Sequence, residues 1–266
     1  MNRDVTFGQY YPKNSFVHNI DPRVKIVLVI AYMAGVFVAK TLWAYIPVAV
    51  FLALAVAFSR VPPLKVLASI KGILILVLFT SIMNVFFNTH GEPLITLGRI
   101  KITEGGVLIA MQLSLRLVFL VCGTAVLTLT TTPTGITTGL ESLLSPLKIV
   151  RFPVQDIAMI MSIALRFIPI LSEETQKIIL AQKARGANFE RGGIIKRARA
   201  LIPVLIPLLV SAFRRAEELA LAMDARCYNA TPKRTRLKEL KLSFRDLVAV
   251  ILVAGLIVSV VFLNGY

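Results

Sequence analysis

Acidic residues, cysteine, histidine and tryptophan are all scarce in this chain, and each shortage removes a class of chemistry. Two cysteines occur in 266 residues, Cys122 in an apolar run and Cys227 in a polar one, which gives neither a disulfide framework nor the paired spacing of a metal site. The two histidines, His18 and His90, stand far apart without ligand spacing, so metal binding is not expected of either. No glycine-rich segment ends in Lys-Ser or Lys-Thr, so nucleotide binding by this chain is not expected. Nothing resembles a nucleophile beside its base or a carboxylate pair poised in a pocket. Catalysis by the isolated chain is therefore not expected, and no cofactor site is assigned.

What fills the sequence instead is hydrocarbon and positive charge. Hydrophobic residues make up 56% of the chain and charged residues only 17%, too apolar for an ordinary soluble domain. Thirty Lys and Arg oppose fourteen Asp and Glu. Nucleic acid is the weaker reading of that excess, because a basic nucleic-acid module has no use for runs such as Ile73 to Phe79 or Val248 to Phe262. The bilayer is the partner that both features fit.

A helix needs about 20 apolar residues to cross the hydrocarbon layer. Five stretches approach that length: Val24 to Ala39, Leu42 to Phe58, Ile70 to Phe87, Val107 to Leu129 and Leu247 to Leu263. The first begins after a long polar segment and lacks a small-residue cleavage site, and is read as a retained helix rather than a signal peptide. Lys40 and Thr41 separate the first two spans, with Trp43 and Tyr45 as interfacial aromatics. These spans define an all-α membrane protein, divided into a four-span region (1–131), a cytoplasmic region (132–243) and a C-terminal transmembrane helix (244–266). Arg3, Lys13 and Arg23 precede the first span and Lys25 stands at its start, Arg60, Lys65 and Lys71 follow the second, and nineteen of the thirty basic residues fall between 132 and 246. The positive-inside rule puts all three groups in the cytoplasm. The loop holding Glu92, Arg99, Lys101 and Glu104 is neutral, and with the uncharged tail Asn264 to Tyr266 it belongs outside. The N-terminus is expected inside and the C-terminus outside.

The cytoplasmic region holds two long helical patterns, about Val154 to Arg185 and Ile194 to Cys227. Their apolar halves, Ile157 to Leu171 and Ala200 to Phe213, are short or interrupted by Arg166, and carry Pro169, Pro203 and Pro207, which should bend them. Their charged halves repeat at an offset of 41 residues: Leu180-Ala181 and Ala184-Arg185 through Asn188 lie over Leu221-Ala222 and Ala225-Arg226 through Asn229. Each helix thus ends on an arginine among small residues, a planar fork suited to a carboxylate that a protein surface could approach closely. An arginine in a last turn can also serve only the helix dipole. Recurrence of the same residue with the same neighbours favours recognition, since lysine at shifting positions would serve the dipole equally well.

Tyr10-Tyr11-Pro12, Ser15, His18 and Asp21-Pro22-Arg23-Val24-Lys25, together with Ala184-Arg185-Gly186 and Ala225-Arg226-Cys227, resemble the signatures of a known family. It is the transmembrane coupling component of energy-coupling factor transporters, EcfT, which belongs with the cobalt-transport protein CbiQ. The resemblance covers essentially the whole chain and departs at Cys227, where glycine is common. It implies a prokaryotic cell-membrane complex in which two ATP-binding cassette ATPases bind ATP and a small substrate-binding membrane (S) subunit captures a vitamin or metal ion. Arg185 and Arg226, with Ala184, Gly186, Ala225 and Cys227 around them, would then contact the ATPases. An ordinary ABC-importer permease with its own substrate pathway, or a membrane scaffold or regulator, are the alternatives. Within the fourth span, Arg116 lacks a nearby acidic partner and is expected to play a structural part, bonding to carbonyls or packing inside the bundle.

Overall fold

The computed structural model describes residues 10–87, 93–97, 100–146, 153–187, 189, 193–228 and 243–265. Arg3, His90, Glu92, Arg99, Asn188, Asn229 and Tyr266, which figure in the sequence reading, lie outside the described residues. The elements in chain order are α1 (Pro22–Val38), α2 (Tyr45–Ser59), α3 (Pro63–Ile70), α4 (Leu74–Phe87), β1 (Pro93–Leu97), β2 (Ile100–Thr103), α5 (Glu104–Thr130), α6 (Pro133–Leu143), α7 (Val154–Ala184), α8 (Ile194–Asp224) and α9 (Phe244–Asn264). They form two compact units, Met1–Gln155 with Leu240–Tyr266, and Asp156–Glu239.

The expected all-α membrane architecture is present. By length and composition α5, α7 and α9 can each cross a bilayer, with mean hydropathies of 2.0, 1.7 and 2.8. The α5 and α9 spans are the fourth and fifth read from sequence. The third is broken: α3 and α4 meet at a 55° bend and count as one span only if taken together. Helices α1 and α2, with 17 and 15 residues, are shorter than a full crossing usually requires. Helix α7 qualifies despite Arg166, because Asp156 and Arg166 are the only charged residues in its stretch 154–171. One feature was not foreseen: β1 and β2 pair antiparallel, with Leu97 opposite Ile100 and Ile95 opposite Ile102. Strands of five and four residues are too short for alternation to separate them from loop.

In the first unit α1 packs on α5, α6 and α9, and α5 in turn packs on α2, α3 and α4. Asp21-Pro22-Arg23 starts it: the Asp21 carboxylate caps the helix by accepting from Arg23 N–H (2.9 Å), and Pro22 occupies the first turn, where its missing N–H costs nothing. Helix α6, which the sequence reading placed in the 132–243 region, instead lies on α1. Gly139 allows it, since a Cβ there would stand 3.1 Å from the Pro22 carbonyl carbon.

Both ends of α1 are tied by side chains from distant elements. At its start, buried Lys25 donates to the carbonyls of His18 (3.3 Å) and Thr130 (3.0 Å) and to Thr131 Oγ1 (3.1 Å). Buried Asp246 of α9 accepts from the backbone N–H of Asp21 (2.8 Å) through one oxygen and of Ser243 (2.7 Å) through the other. His18 Nε2 donates to Tyr11 carbonyl oxygen (2.9 Å), and Ser15 Oγ lies 2.7 Å from Nδ1. Burial holds this imidazole below its usual pKa, which suits the neutral form with one donor and one acceptor nitrogen. At the far end, Asn264 donates to Val38 carbonyl oxygen (2.7 Å), Arg116 to that of Ala39 (2.8 Å) and Gln112 to that of Lys40 (2.8 Å). Arg116 thus bonds a carbonyl, as its structural reading required.

The tightest packing joins α1 to α5 at Tyr32 and Gly123. The Tyr32 hydroxyl donates to Phe119 carbonyl oxygen (3.0 Å), and a Cβ on Gly123 would land in the Tyr32 ring. Gly123→Ala should therefore destabilise the chain by about 1–3 kcal/mol through overpacking. Trimming the ring with Tyr32→Val should cost less in the Gly123→Ala background than in the native one. Unfolding midpoints of the four purified variants measure this, and strictly additive losses would show that the two residues do not meet.

Candidate functional site

Helices α7 and α8 make up the second unit, and the sequence repeat is also a repeat of structure. At the end of α7 the Ala187 N–H bonds the Gln182 carbonyl (2.9 Å) and the Gly186 N–H that of Lys183 (3.0 Å). At the end of α8 the Tyr228 N–H bonds the Met223 carbonyl (3.0 Å) and the Cys227 N–H that of Asp224 (2.9 Å). These are the two bonds of a Schellman cap, found twice at corresponding positions of the repeat. Such a cap needs a left-handed residue after the last helical one: Gly186 has φ +90° and Cys227 has φ +54°. Cysteine departs from glycine in chemistry but keeps the same backbone geometry.

The capping geometry fixes where the arginines stand. Arg185 and Arg226 each immediately precede the left-handed residue, and Ala184, Arg185, Gly186, Ala225, Arg226 and Cys227 are all exposed. The space that a Gly186 side chain would occupy is open, with no atom within 4 Å. Among the described residues no ion pair engages either guanidinium. The two fixed-charge forks therefore sit at closed, ordered helix ends with small neighbours on both sides.

Where the helices touch carries further information. Arg215 Nη2 lies 3.4 Å from Glu174 Oε2, and these two residues are separated by 41 positions, the repeat offset. This ion pair between α7 and α8 thus joins equivalent positions of the repeat. Each terminal arginine follows its crossing residue by eleven positions, roughly 16 Å along its helix at the α-helical rise. Both crossing side chains are about a third exposed, so the pair itself adds little stability, about 0–1 kcal/mol.

The apolar halves are largely uncovered. On α8 the exposed residues Ile202, Leu205, Ile206, Leu209, Val210 and Phe213 recur at three- and four-residue intervals along one broad face. On α7, Ile157, Ile160 and Met161 are exposed. Both helices continue through their prolines, Pro169 in α7 and Pro203 and Pro207 in α8. Among the described residues no group of His, Cys, Asp and Glu is placed to hold a metal ion.

Sequence reasoning missed two members of the first unit's anchor, the acceptor role of Asp246 and the donor role of Lys25. The pattern Ser243-x-x-Asp246 was a legible capping box, and its two reciprocal bonds are present. That the same carboxylate also receives the Asp21 N–H joins residues 225 positions apart, which no local pattern announces.

The left-handed residues give a direct prediction. A side chain at φ +54° costs on the order of 1 kcal/mol that glycine does not incur. Cys227→Gly should raise protection of the last α8 amides from hydrogen exchange about fivefold, and Gly186→Ala should lower that of α7 similarly. Unchanged exchange in Gly186→Ala would show that the cap does not require its left-handed geometry.

The family model of the cobalt transport protein, CbiQ, matches residues 13–237. The chain is 46% identical over 264 residues to the energy-coupling factor transporter transmembrane protein EcfT of Ruminiclostridium cellulolyticum, covering 99% of this chain and 96% of that protein. It is 46% identical over 250 residues to the protein of the same name from Clostridium kluyveri, covering 94% and 93%. For that of Bacillus subtilis the figures are 41% over 260 residues, covering 97% and 98%. With the match running from the N-terminal anchor through both arginine caps, and the relatives aligned over nearly their full lengths, the chain belongs to the CbiQ cobalt transport protein family.

Proposed function

We propose that this chain is the transmembrane coupling subunit of an energy-coupling factor transporter. Two separate ATPase subunits bind and hydrolyse ATP, and α7 and α8 relay their motion to a substrate-binding membrane subunit that takes up a vitamin or metal ion. The observation that carries this reading is the duplicated arginine cap, with the same hydrogen bonds, the same left-handed residue and the same exposure at both helix ends. Two helix ends with the same cap geometry suit two equivalent partners. Each guanidinium would enter an acidic groove on one ATPase, where small flanking residues let the partner's surface close around it. The broad apolar face of α8 suits a partner that is itself a membrane protein. The names of the relatives support the same role.

In this reading the basic end of the first unit faces the cytoplasm, the N-terminus lies inside and the C-terminus outside. A cysteine at Gly265 should then react with an impermeant thiol reagent in intact cells, while one at Gly193, after α7, should not. Exposed Cys227 and buried Cys122 are replaced first. Labelling at Gly193 would mean that α7 crosses the bilayer, and would place Arg185 on the side opposite the ATPases.

The coupling role is tested at the arginines. Loss of one partner from a buried, hydrogen-bonded interfacial charge pair costs about 2–5 kcal/mol, or roughly thirty-fold to several-thousand-fold in affinity. A screened surface pair would cost about 0–1 kcal/mol. Arg185→Glu and Arg226→Glu should each weaken ATPase co-purification and abolish uptake, the double variant being worse, while Lys71→Glu in the first unit should do little. Assembly and uptake are both measured, because one intact site can retain the ATPases while transport fails. A double variant that assembles and transports normally would reduce the arginines to helix-end ornament. Two copies of this chain recovered with a soluble binding protein, and no S subunit, would favour the ordinary importer permease.

A further inference from the structure

Within the first unit, α2 and α9 pack closely at one end and part at the other. At the closed end Tyr45 and Val48 of α2 join Leu256 and Val260 of α9 in one buried cluster. At the other end the two helices flank a cavity of about 200 Å³ floored by α1 and α5 and closed over by Phe16, Val17 and Ile20 of the N-terminal segment. Its walls are nearly all hydrocarbon. Lys25 borders it, but the ammonium is already engaged by two carbonyls and a hydroxyl.

An apolar space of this size takes in hydrocarbon rather than water: a cavity of about 150 Å³ suffices for benzene and stays dry when empty. Leu54 and Phe58 of α2 and Leu252 of α9, which line the gap, are also exposed, so its wall is continuous with the surface these helices present to the bilayer. Charge stands at the same end. Arg245 lies one helical turn beyond Ala249, a wall residue, and Arg60 caps α2 two residues after Phe58; both arginines are exposed. Exposed arginines at the bilayer surface attract an anionic lipid phosphate, and a chain of the same lipid would enter the gap beside them.

We propose that this gap is a binding site for one acyl chain of an anionic phospholipid, whose phosphate sits against Arg245 and Arg60. The lipid takes the place of side chains that α2 and α9 do not supply, and fills the space between them without a protein partner. The site belongs to the first unit alone and is independent of the coupling role.

The test uses the full chain in its native assembly, in vesicles of phosphatidylcholine and phosphatidylglycerol, with a photoreactive diazirine in the acyl chain of the latter. Adducts are expected on the inner wall at Leu28, Val29 and Val126, besides those on Ile75 and Phe79 of α4, which are exposed and report ordinary surrounding lipid. Ala55→Phe, which fills the gap, should remove the inner adducts and spare those of α4. Should that variant not assemble, Ala55→Leu makes a milder fill at the same half-buried position. Arg60→Gln and Arg245→Gln should each lower the preference for phosphatidylglycerol over phosphatidylcholine about fivefold. Labelling confined to α4, or inner adducts that survive a folded filling variant, would each overturn the proposal.

Discussion

Water is not available within a bilayer to take up the free carbonyls at a helix end, and α1 is the helix on which that constraint falls hardest. It is short, it packs on α5, α6 and α9, and the carbonyls of Val38, Ala39 and Lys40 where it ends are taken by Asn264, Arg116 and Gln112 from α9 and α5. Its opening turn is held by Asp21 within the chain, by Lys25 reaching the end of α5, and by Asp246 reaching back from α9. Because the same side chains that satisfy the ends of α1 also place α5 and α9 against it, satisfying the backbone and assembling the bundle are one event. A charged residue within a span reads at first as a functional site; here the guanidinium of Arg116 finishes a neighbouring helix.

The second unit solves a different problem with a different economy. Its two helices touch through an ion pair about a third exposed and leave broad apolar faces uncovered, so little of its organisation comes from its own core. What is well ordered is each helix end, where a left-handed residue and two backbone bonds fix the arginine before it. A capped, charged helix end on an element with uncovered faces suits an adaptor whose remaining contacts come from other proteins. That is the physical content of the coupling role proposed for it.

Cys227 shows why geometry can outlast composition. The repeat demands a positive φ after Arg226, and cysteine occupies that region at a cost glycine would avoid. The hydrogen bonds nonetheless match those of the Gly186 copy, which means the cap is held by its bonds as much as by the residue that best fits it.

Local composition alone determined that this is an α-helical membrane protein, where its long spans α5 and α9 run, and that two arginines recur at an offset of 41 residues, because hydropathy, charge and repetition are written in the order of residues. The caps were partly legible as well, since Gly186 and the Ser243-x-x-Asp246 pattern are local signals. The break between α3 and α4 and the short hairpin were not, because each depends on contacts or on lengths too small for periodicity to resolve. Only the tertiary structure decided that Asp246 receives the Asp21 N–H, that Arg116 serves a carbonyl of another helix, that Gly123 lies beneath the Tyr32 ring and that α2 and α9 part at one end. Those pairings join residues far apart in sequence, and which polar group answers which becomes defined only when the helices come together.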